Sequence, residues 1–342
     1  MTNDITLQDL GWSAHYQSQL DIDEVGTTTP ARINGVHRTQ IAGLTTDGAV
    51  DLTLEPGMST AEIAVGDWVL CDPKEARMIR RLDRKSTLQR GSDYVHGERQ
   101  LIASNIDTLF IMTSCNADFN VARLERYLAL AHDAEITPVI VITKADQTDD
   151  PDHYISQAQA LGRDLEVIAI DGRNVGDALD PWCGKGQTVA LAGSSGVGKT
   201  TLANALTGGE AATQGIREDD ARGRHTTTGR SLHRLPSGGW LIDTPGMRGL
   251  GVADVAYGIN ATFPEISELV DQCKFRDCKH EGEPGCAVQA AVAAGDIDPD
   301  RLKRFRKLIR EDMIATETLA QSRERQKKFG KMVKSAMSKK RR

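Results

Sequence analysis

From residue 29 to about 82 the chain alternates apolar and polar positions in short runs, as in Arg32-Ile33, Val50-Asp51-Leu52-Thr53-Leu54 and Trp68-Val69-Leu70. Successive side chains of a strand point to opposite faces, so a period of two predicts strands with one buried side. Asp47-Gly48, Pro56-Gly57 and Gly66-Asp67 supply turns between them. Short strands broken this often predict a small barrel, of OB or SH3-like type, rather than a strand–helix–strand unit. Ahead of it, Leu7, Leu10, Trp12 and Leu20 predict a short amphipathic arm.

The period changes near Ile102. Residues 106–113, 138–142, 166–170 and 188–192 are continuous apolar runs, the pattern of strands covered on both faces. Val121, Leu124, Leu128 and Ala131 recur at helical spacing, and further helices are expected at 154–161 and 200–206. Strands alternating with helices predict a mostly parallel sheet. A β-ribbon follows, 231–235 and 240–243, turning at Ser237-Gly238-Gly239. Beyond about Gly258 the pattern is helical. Its last segment, 300–319, carries Leu302, Phe305, Leu308, Ile309, Met313 and Leu319 as one expected apolar face, turned toward the segment before it. These shifts divide the chain into an arm at 1–28, a barrel at 29–85, an α/β domain at 86–255, a helical domain at 256–320 and a tail at 321–342.

Composition narrows the class. A chain of 342 residues is long for one domain, and 39% hydrophobic with 26% charged residues is ordinary for a soluble globular protein. No apolar run approaches the ~18 residues of a membrane span. The first ten residues lack the apolar core of a signal peptide, so a cytoplasmic protein is expected. Cys71, Cys115 and Cys183 are scattered and expected to be buried thiols in a reducing compartment.

Net charge hides an asymmetry. Residues 321–342 carry ten Lys or Arg against one acid, Glu324, a charge of +9; the formal −6 of the whole chain therefore leaves −15 elsewhere. A tail this basic suits a polyanion such as nucleic acid.

The chemistry concentrates in three places. Gly193-Ser194-Ser195-Gly196-Val197-Gly198-Lys199-Thr200, with Thr201 following, fits G-x-x-x-x-G-K-[ST] between a strand and a helix. Glycines there let backbone N–H groups converge on phosphate oxygens, Lys199 reaches the β- and γ-phosphates, and the Thr200 hydroxyl suits Mg²⁺. Asp243-Thr244-Pro245-Gly246 ends a later apolar strand: Asp243 is placed to hold the Mg²⁺ shell, and the Gly246 N–H to meet a γ-phosphate. Between them lies Gly223-Arg224-His225-Thr226-Thr227-Thr228. One of its threonines can bind Mg²⁺ as a switch loop does, and Thr227 is the candidate.

The second place precedes the first. Thr143-Lys144-Ala145-Asp146 ends the strand at 138–142 and has the form N/T-K-x-D. The Asp146 carboxylate can accept both N–H groups that guanine presents, a pair adenine lacks, while the Lys144 stem lies along the base. A guanine element ahead of the phosphate loop implies a circularly permuted order, which a parallel sheet with nearby termini tolerates.

The third is Cys273-x4-Cys278-x-His280-x5-Cys286. Three Cys and one His make a closed tetrahedral set for one structural Zn²⁺, with no open position for catalysis.

Together these residues resemble the RsgA (YjeQ/YloQ) family, circularly permuted GTPases acting on the small ribosomal subunit. The resemblance covers nearly the whole chain. It includes Val65-Gly66-Asp67-Trp68-Val69, Arg84-Lys85-Ser86-Thr87-Leu88-Gln89-Arg90, Asn105-Ile106-Asp107, the three elements above and the zinc cluster. It implies an OB-like β-barrel, a circularly permuted P-loop GTPase domain with a mostly parallel sheet, and a C-terminal zinc-binding helical domain. It also implies a monomer that hydrolyses GTP to GDP with Mg²⁺, bound to the 30S subunit and its 16S rRNA during late maturation. Two positions depart from the family. Thr143 replaces the commoner Asn, which predicts weaker guanine affinity with unchanged choice. The segment from Ala169 to Gly172 lacks the usual Ser-Ala, so no residue is assigned there. Met247 stands where many GTPases have the water-orienting Gln, which predicts slow intrinsic turnover and leaves His225 as the candidate to position water. A small-molecule kinase and an RNA-binding scaffold with structural GTP are the competing readings.

Overall fold

The fold is that of a computed structural model, which describes residues 5–37, 40–54, 57–91, 99–171, 175–209, 230–243 and 252–316. Five strands follow the arm: β1 (Thr29–Val36), β2 (Ile41–Thr45), β3 (Gly48–Leu52), β4 (Trp68–Asp72) and β5 (Arg77–Arg81). All pair antiparallel in the order β3-β2-β1-β4-β5. Thr53 bonds Ala76 and Met78 by backbone, closing β3 onto β5. Alternate residues turn inward, so Ala31, Ile33, Ile41, Leu52, Ile63, Val69, Cys71 and Met78 fill the barrel. The arm holds one helical turn, α1 (Ala14–Gln17). Its buried apolar residues are Leu10, Trp12 and Tyr16, while Leu7 and Leu20 stay half-buried. Trp12 meets Trp68 edge-on at 4.9 Å between ring centroids, which docks the arm on the barrel.

Two strands not expected from the sequence come next, β6 (Thr87–Gly91) and β7 (Arg99–Ser104), paired as a two-stranded sheet. Then the alternation begins: β8 (Thr108–Ser114), α2 (Val121–Asp133), β9 (Thr137–Thr143), α3 (Pro151–Gln159), β10 (Glu166–Ala169), β11 (Thr188–Gly193), α4 (Lys199–Leu206), β12 (Ser231–Arg234) and β13 (Trp240–Asp243). Helix starts follow local chemistry. The Asn120 side chain accepts from the Arg123 N–H to cap α2, and Asp150 caps α3 ahead of Pro151. The sheet runs β10-β9-β8-β11-β13 in parallel, with β12 antiparallel at the end. All seven residues of β8 and all six of β11 are buried, because both faces of the sheet are covered. At its far side β12 meets β1 antiparallel at Gly35 and Ser231, so barrel and parallel sheet share one ladder.

The chain divides into two compact units, 1–89 with 101–249, and 90–100 with 250–342. Within the second, α5 (Ala256–Thr262) and α6 (Pro264–Val270) lead to the Cys/His loop. Helices α7 (Ala287–Ala294) and α8 (Pro299–Thr316) follow it. Helix α8 packs on α5 and its end: Phe305 meets Phe263 edge-on at 5.5 Å between ring centroids, and Arg301 lies 4.5 Å over the Phe263 ring. Met313, expected on that apolar face, is instead 66% exposed. The buried phase runs Leu302, Phe305, Leu308 and Asp312, and the Asp312 carboxylate takes the inward place by accepting the Val255 N–H at 2.9 Å. Leu319 and the basic tail lie outside the described residues. No described helix is long and apolar enough to cross a membrane.

Candidate nucleotide site

Parallel strands align their carboxyl ends at one sheet edge, where ligands of such folds bind. Four strands converge there. Gly193 of β11 lies opposite Met112 of β8, Thr143 of β9 opposite Ser114, and Ala190 opposite Ile242, which brings Asp243 to the same edge.

The loop from β11 to α4 turns on two glycines. A Cβ at Gly193 would lie 2.5 Å from the Met112 carbonyl oxygen. Gly198 holds φ at +95° as the N-cap of α4, and no side chain caps that helix. The first-turn N–H groups of α4 therefore face the loop with their partial positive charge, an arrangement suited to phosphate. The Lys199 ammonium donates to the carbonyls of Gly193 at 2.8 Å and Ser194 at 2.5 Å, so it lies along the loop. Thr200 and Thr201 are exposed on the first turn of α4.

Asp243 closes β13 with Ser231 opposite it on β12. Burial pushes its carboxyl above the usual range, while His233 and the Lys199 ammonium pull the other way. A cation beside it would relieve the cost of a half-buried carboxylate. Mg²⁺ fits this donor set of an exposed hydroxyl and a strand-end carboxylate, supplying charge neutralisation and orientation of phosphate oxygens.

The base element sits two strands away. Thr143 is 1% exposed, and its hydroxyl faces the carbonyls of Val197 at 2.7 Å and Thr113 at 3.1 Å. Lys144 takes a left-handed φ of 59°, and the turn Ala145–Gln147 presents Asp146 to solvent. His225, Thr227 and Gly246 lie outside the described residues, as does Met247.

Two residues of α2, which the motifs did not single out, join the loop. Arg123 donates from Nη1 to the Ser194 hydroxyl at 2.8 Å. Tyr127 is buried; burial raises its phenol, against the Gly193 backbone that hydrogen-bonds it. The sequence signal for both is their spacing of four on one helix face, directly after a strand that neighbours the loop's own.

In the second unit, the ligand atoms of Cys273, Cys278, His280 and Cys286 all lie within 4.8 Å of one another. Sγ of Cys273 is 3.9 Å from that of Cys286, and Nδ1 of His280 is 3.6 and 3.4 Å from them. A tetrahedron with bonds of about 2.0–2.3 Å has edges of about 3.3–3.8 Å, so the set fits one zinc ion. Burial also holds the His280 imidazole toward its neutral, ligating form. Supporting bonds fix the ligands: Gln289 donates from its N–H to Cys286 Sγ and from its amide to the His280 carbonyl at 2.6 Å.

A phosphate loop, a T-K-x-D turn and a strand-end acid at one edge of a parallel sheet, with the turn first in the chain, define a circularly permuted P-loop GTPase. Comparison with known proteins agrees. The RsgA GTPase family model matches residues 81–253. Small ribosomal subunit biogenesis GTPase RsgA of Mesorhizobium japonicum is 55% identical over 319 residues, 91% of each chain. RsgA 2 of Vibrio parahaemolyticus is 45% identical over 338 residues, 98% of this chain and 94% of its own. The chain belongs to the RsgA GTPase family. Among solved structures, YjeQ from Thermotoga maritima aligns with a TM-score of 0.61 at 23% identity, over 83% of this chain and 98% of that one. YloQ, described as a circularly permuted GTPase, aligns with 0.59 at 24% identity, over 84% and 95%. Both share the fold.

Proposed function

We propose that this protein hydrolyses GTP on the small ribosomal subunit, assists late maturation of that subunit, and leaves after hydrolysis. The observation that carries the nucleotide half is the meeting of the base turn and the phosphate loop at one sheet edge, joined by the bond from Thr143 to Val197. The ribosomal half rests on the relatives' names and on the +9 tail, which suits an RNA backbone.

In this reading Asp146 accepts the two guanine N–H groups and Lys144 lies along the base, with Thr143 holding the turn. Residues 193–201 cradle the phosphates: backbone N–H groups from Gly193 to Gly198 donate to them, Lys199 balances the β- and γ-charges, and Thr200 and Asp243 hold Mg²⁺. Gly246 donates to the γ-phosphate, Thr227 senses it, and His225 orients water. Cys273, Cys278, His280 and Cys286 hold one structural Zn²⁺ that folds a docking module too short for a core of its own. The protein works as a cytoplasmic monomer and contacts 16S rRNA mainly through phosphates and shape, since aromatics are sparse in the barrel.

The test is GTP turnover by purified protein, alone and with isolated 30S or 50S subunits, with Lys199→Ala as control. Stimulation by 30S alone, lost in the control, is the expected result. Equal rates with and without 30S would remove the ribosomal assignment.

A further inference from the structure

The phosphate loop holds a second cation. Arg123, in the first turn of α2, donates from Nη1 to the Ser194 hydroxyl at 2.8 Å, and its other bond is a 3.4 Å contact to the Asp118 carbonyl. Among the described residues it has no carboxylate within ion-pair distance. The carbonyl of the same Ser194 accepts from the Lys199 ammonium at 2.5 Å. Two positive side chains, one from α4 and one from α2, therefore converge on a single loop residue. Tyr127, one turn further along α2, is 3% exposed and bonded to the backbone of Gly193, which fixes the root of Arg123 while its head stays half-buried. A cation aimed at a loop built for phosphate, held only by neutral oxygens, is poised to exchange them for a charged one. A phosphate offers the guanidinium an opposite charge and a bidentate pair of acceptors, which single neutral oxygens do not.

We propose that Arg123 is a catalytic residue, an arginine supplied in cis that moves from the Ser194 hydroxyl to the γ-phosphate. The inference rests on the GTPase reading above. In the step, a water oxygen bonds to the γ-phosphorus as the bond from that phosphorus to the β–γ bridging oxygen breaks. The electron pair stays on the terminal oxygen of GDP, and the water's proton ends on the released phosphate. Arg123 neither gains nor loses a proton; its planar fork matches the equatorial oxygens, where charge is spread. The sequence creates the need, because Met247 occupies the position of the usual polar helper. Ser194 serves as the resting partner, taking the guanidinium back once only GDP remains.

Single-turnover hydrolysis of GTP, with and without small subunits, tests this in Arg123→Ala and Arg123→Lys. Removing an arginine of this kind costs on the order of 1,000-fold in turnover. The expected result is a loss of that order in Arg123→Ala, with GDP affinity within about 2-fold of wild type. Affinity for GDP with aluminium fluoride should fall with the rate, and millimolar guanidinium should restore part of it. Arg123→Lys should keep the fold and GDP binding yet recover little turnover. Wild-type turnover in Arg123→Ala would overturn the proposal. So would an equal loss of affinity for GDP and its fluoride complex, which marks a brace for the loop. Failure of the wild-type protein to hydrolyse GTP would instead remove the GTPase reading itself.

Discussion

The Thr143 hydroxyl lies 2.7 Å from the Val197 carbonyl, joining the end of β9 to the middle of the phosphate loop. The second carbonyl in reach, that of Thr113, is 3.1 Å away, so the single hydroxyl proton favours Val197. The residue that departs from the commoner Asn thus spends its donor on the loop. Thr143→Val preserves shape and removes the donor, leaving a buried carbonyl unmatched at a cost of about 1–3 kcal/mol. GDP affinity should fall about 5- to 150-fold. Thr143→Asn, which restores a donor, should bind GDP at least as well as wild type. Titration of a fluorescent GDP reads both, and wild-type affinity in Thr143→Val would show that the bond does not organise the site.

How far the sequence led depends on how local each feature is. The phosphate loop, the T-K-x-D turn and the Cys/His spacing each lie within about a dozen residues, and chemistry fixes their residue types. The runs at 32–33, 50–54 and 68–70 likewise mark β1, β3 and β4 of the barrel, while β2 and β5 were not singled out. What escaped depends on partners far along the chain. Tyr16 is buried by the arm's docking on Trp68, and no periodicity in a four-residue helix foretells that. Met313 looked apolar and inward, yet the helix phase gives the place to Asp312, whose carboxylate is matched by a backbone N–H from a residue 57 positions earlier. Arg123 reaches Ser194 across 71 positions. Tertiary contact, not local pattern, decides all three.

Asp146 is exposed on a tight turn, so its role can be separated from stability. Asp146→Asn replaces a double acceptor with one acceptor and one donor. Guanine then faces a donor where it presents its own N–H, while xanthine, with a carbonyl at that position, pairs with the amide. Each lost bond to a carboxylate is worth about 1.5–3 kcal/mol, so GTP affinity should fall about 100-fold or more while xanthosine triphosphate binding rises. Competition between the two nucleotides measures it. An unchanged preference for guanine would remove Asp146 from the base site.

The Cys/His cluster sits in the second compact unit, apart in sequence from the phosphate loop. Metal analysis should give one zinc per chain. Cys278→Ser breaks the tetrahedron, and the segment carrying it has too little core to fold unaided. The variant should lose zinc and the thermal transition of this unit. It should keep its subunit-independent GTP turnover and lose stimulation by 30S. A variant stimulated as well as wild type would leave the cluster without a docking role.

Arg32 is buried completely within the first unit, and burial lowers its pKa to about 10. Its guanidinium donates to the Leu10 carbonyl at 2.5 Å and the Thr188 hydroxyl at 2.6 Å, so one side chain of β1 ties the arm to the start of β11. Trp68 lies 6.0 Å from it, a cation–π contact that offsets part of the desolvation cost. Arg32→Met has a similar length and removes the buried charge, which by itself favours folding. Against that, it strands two acceptors chosen to face a donor, a cost of about 1–3 kcal/mol each. The acceptors should win, with a net loss of about 2–4 kcal/mol and a fall in Tm of about 5–10 °C. Arg32→Lys should rank with Met rather than with wild type, because one ammonium cannot reproduce the fork that reaches both oxygens. Thermal melting ranks the three. A methionine variant as stable as wild type would mean that the buried charge costs as much as its bonds return, and that the arm's other contacts, among them Trp12 and Tyr16 on Trp68 and the Trp240 indole on the Asp9 carbonyl, suffice to hold it.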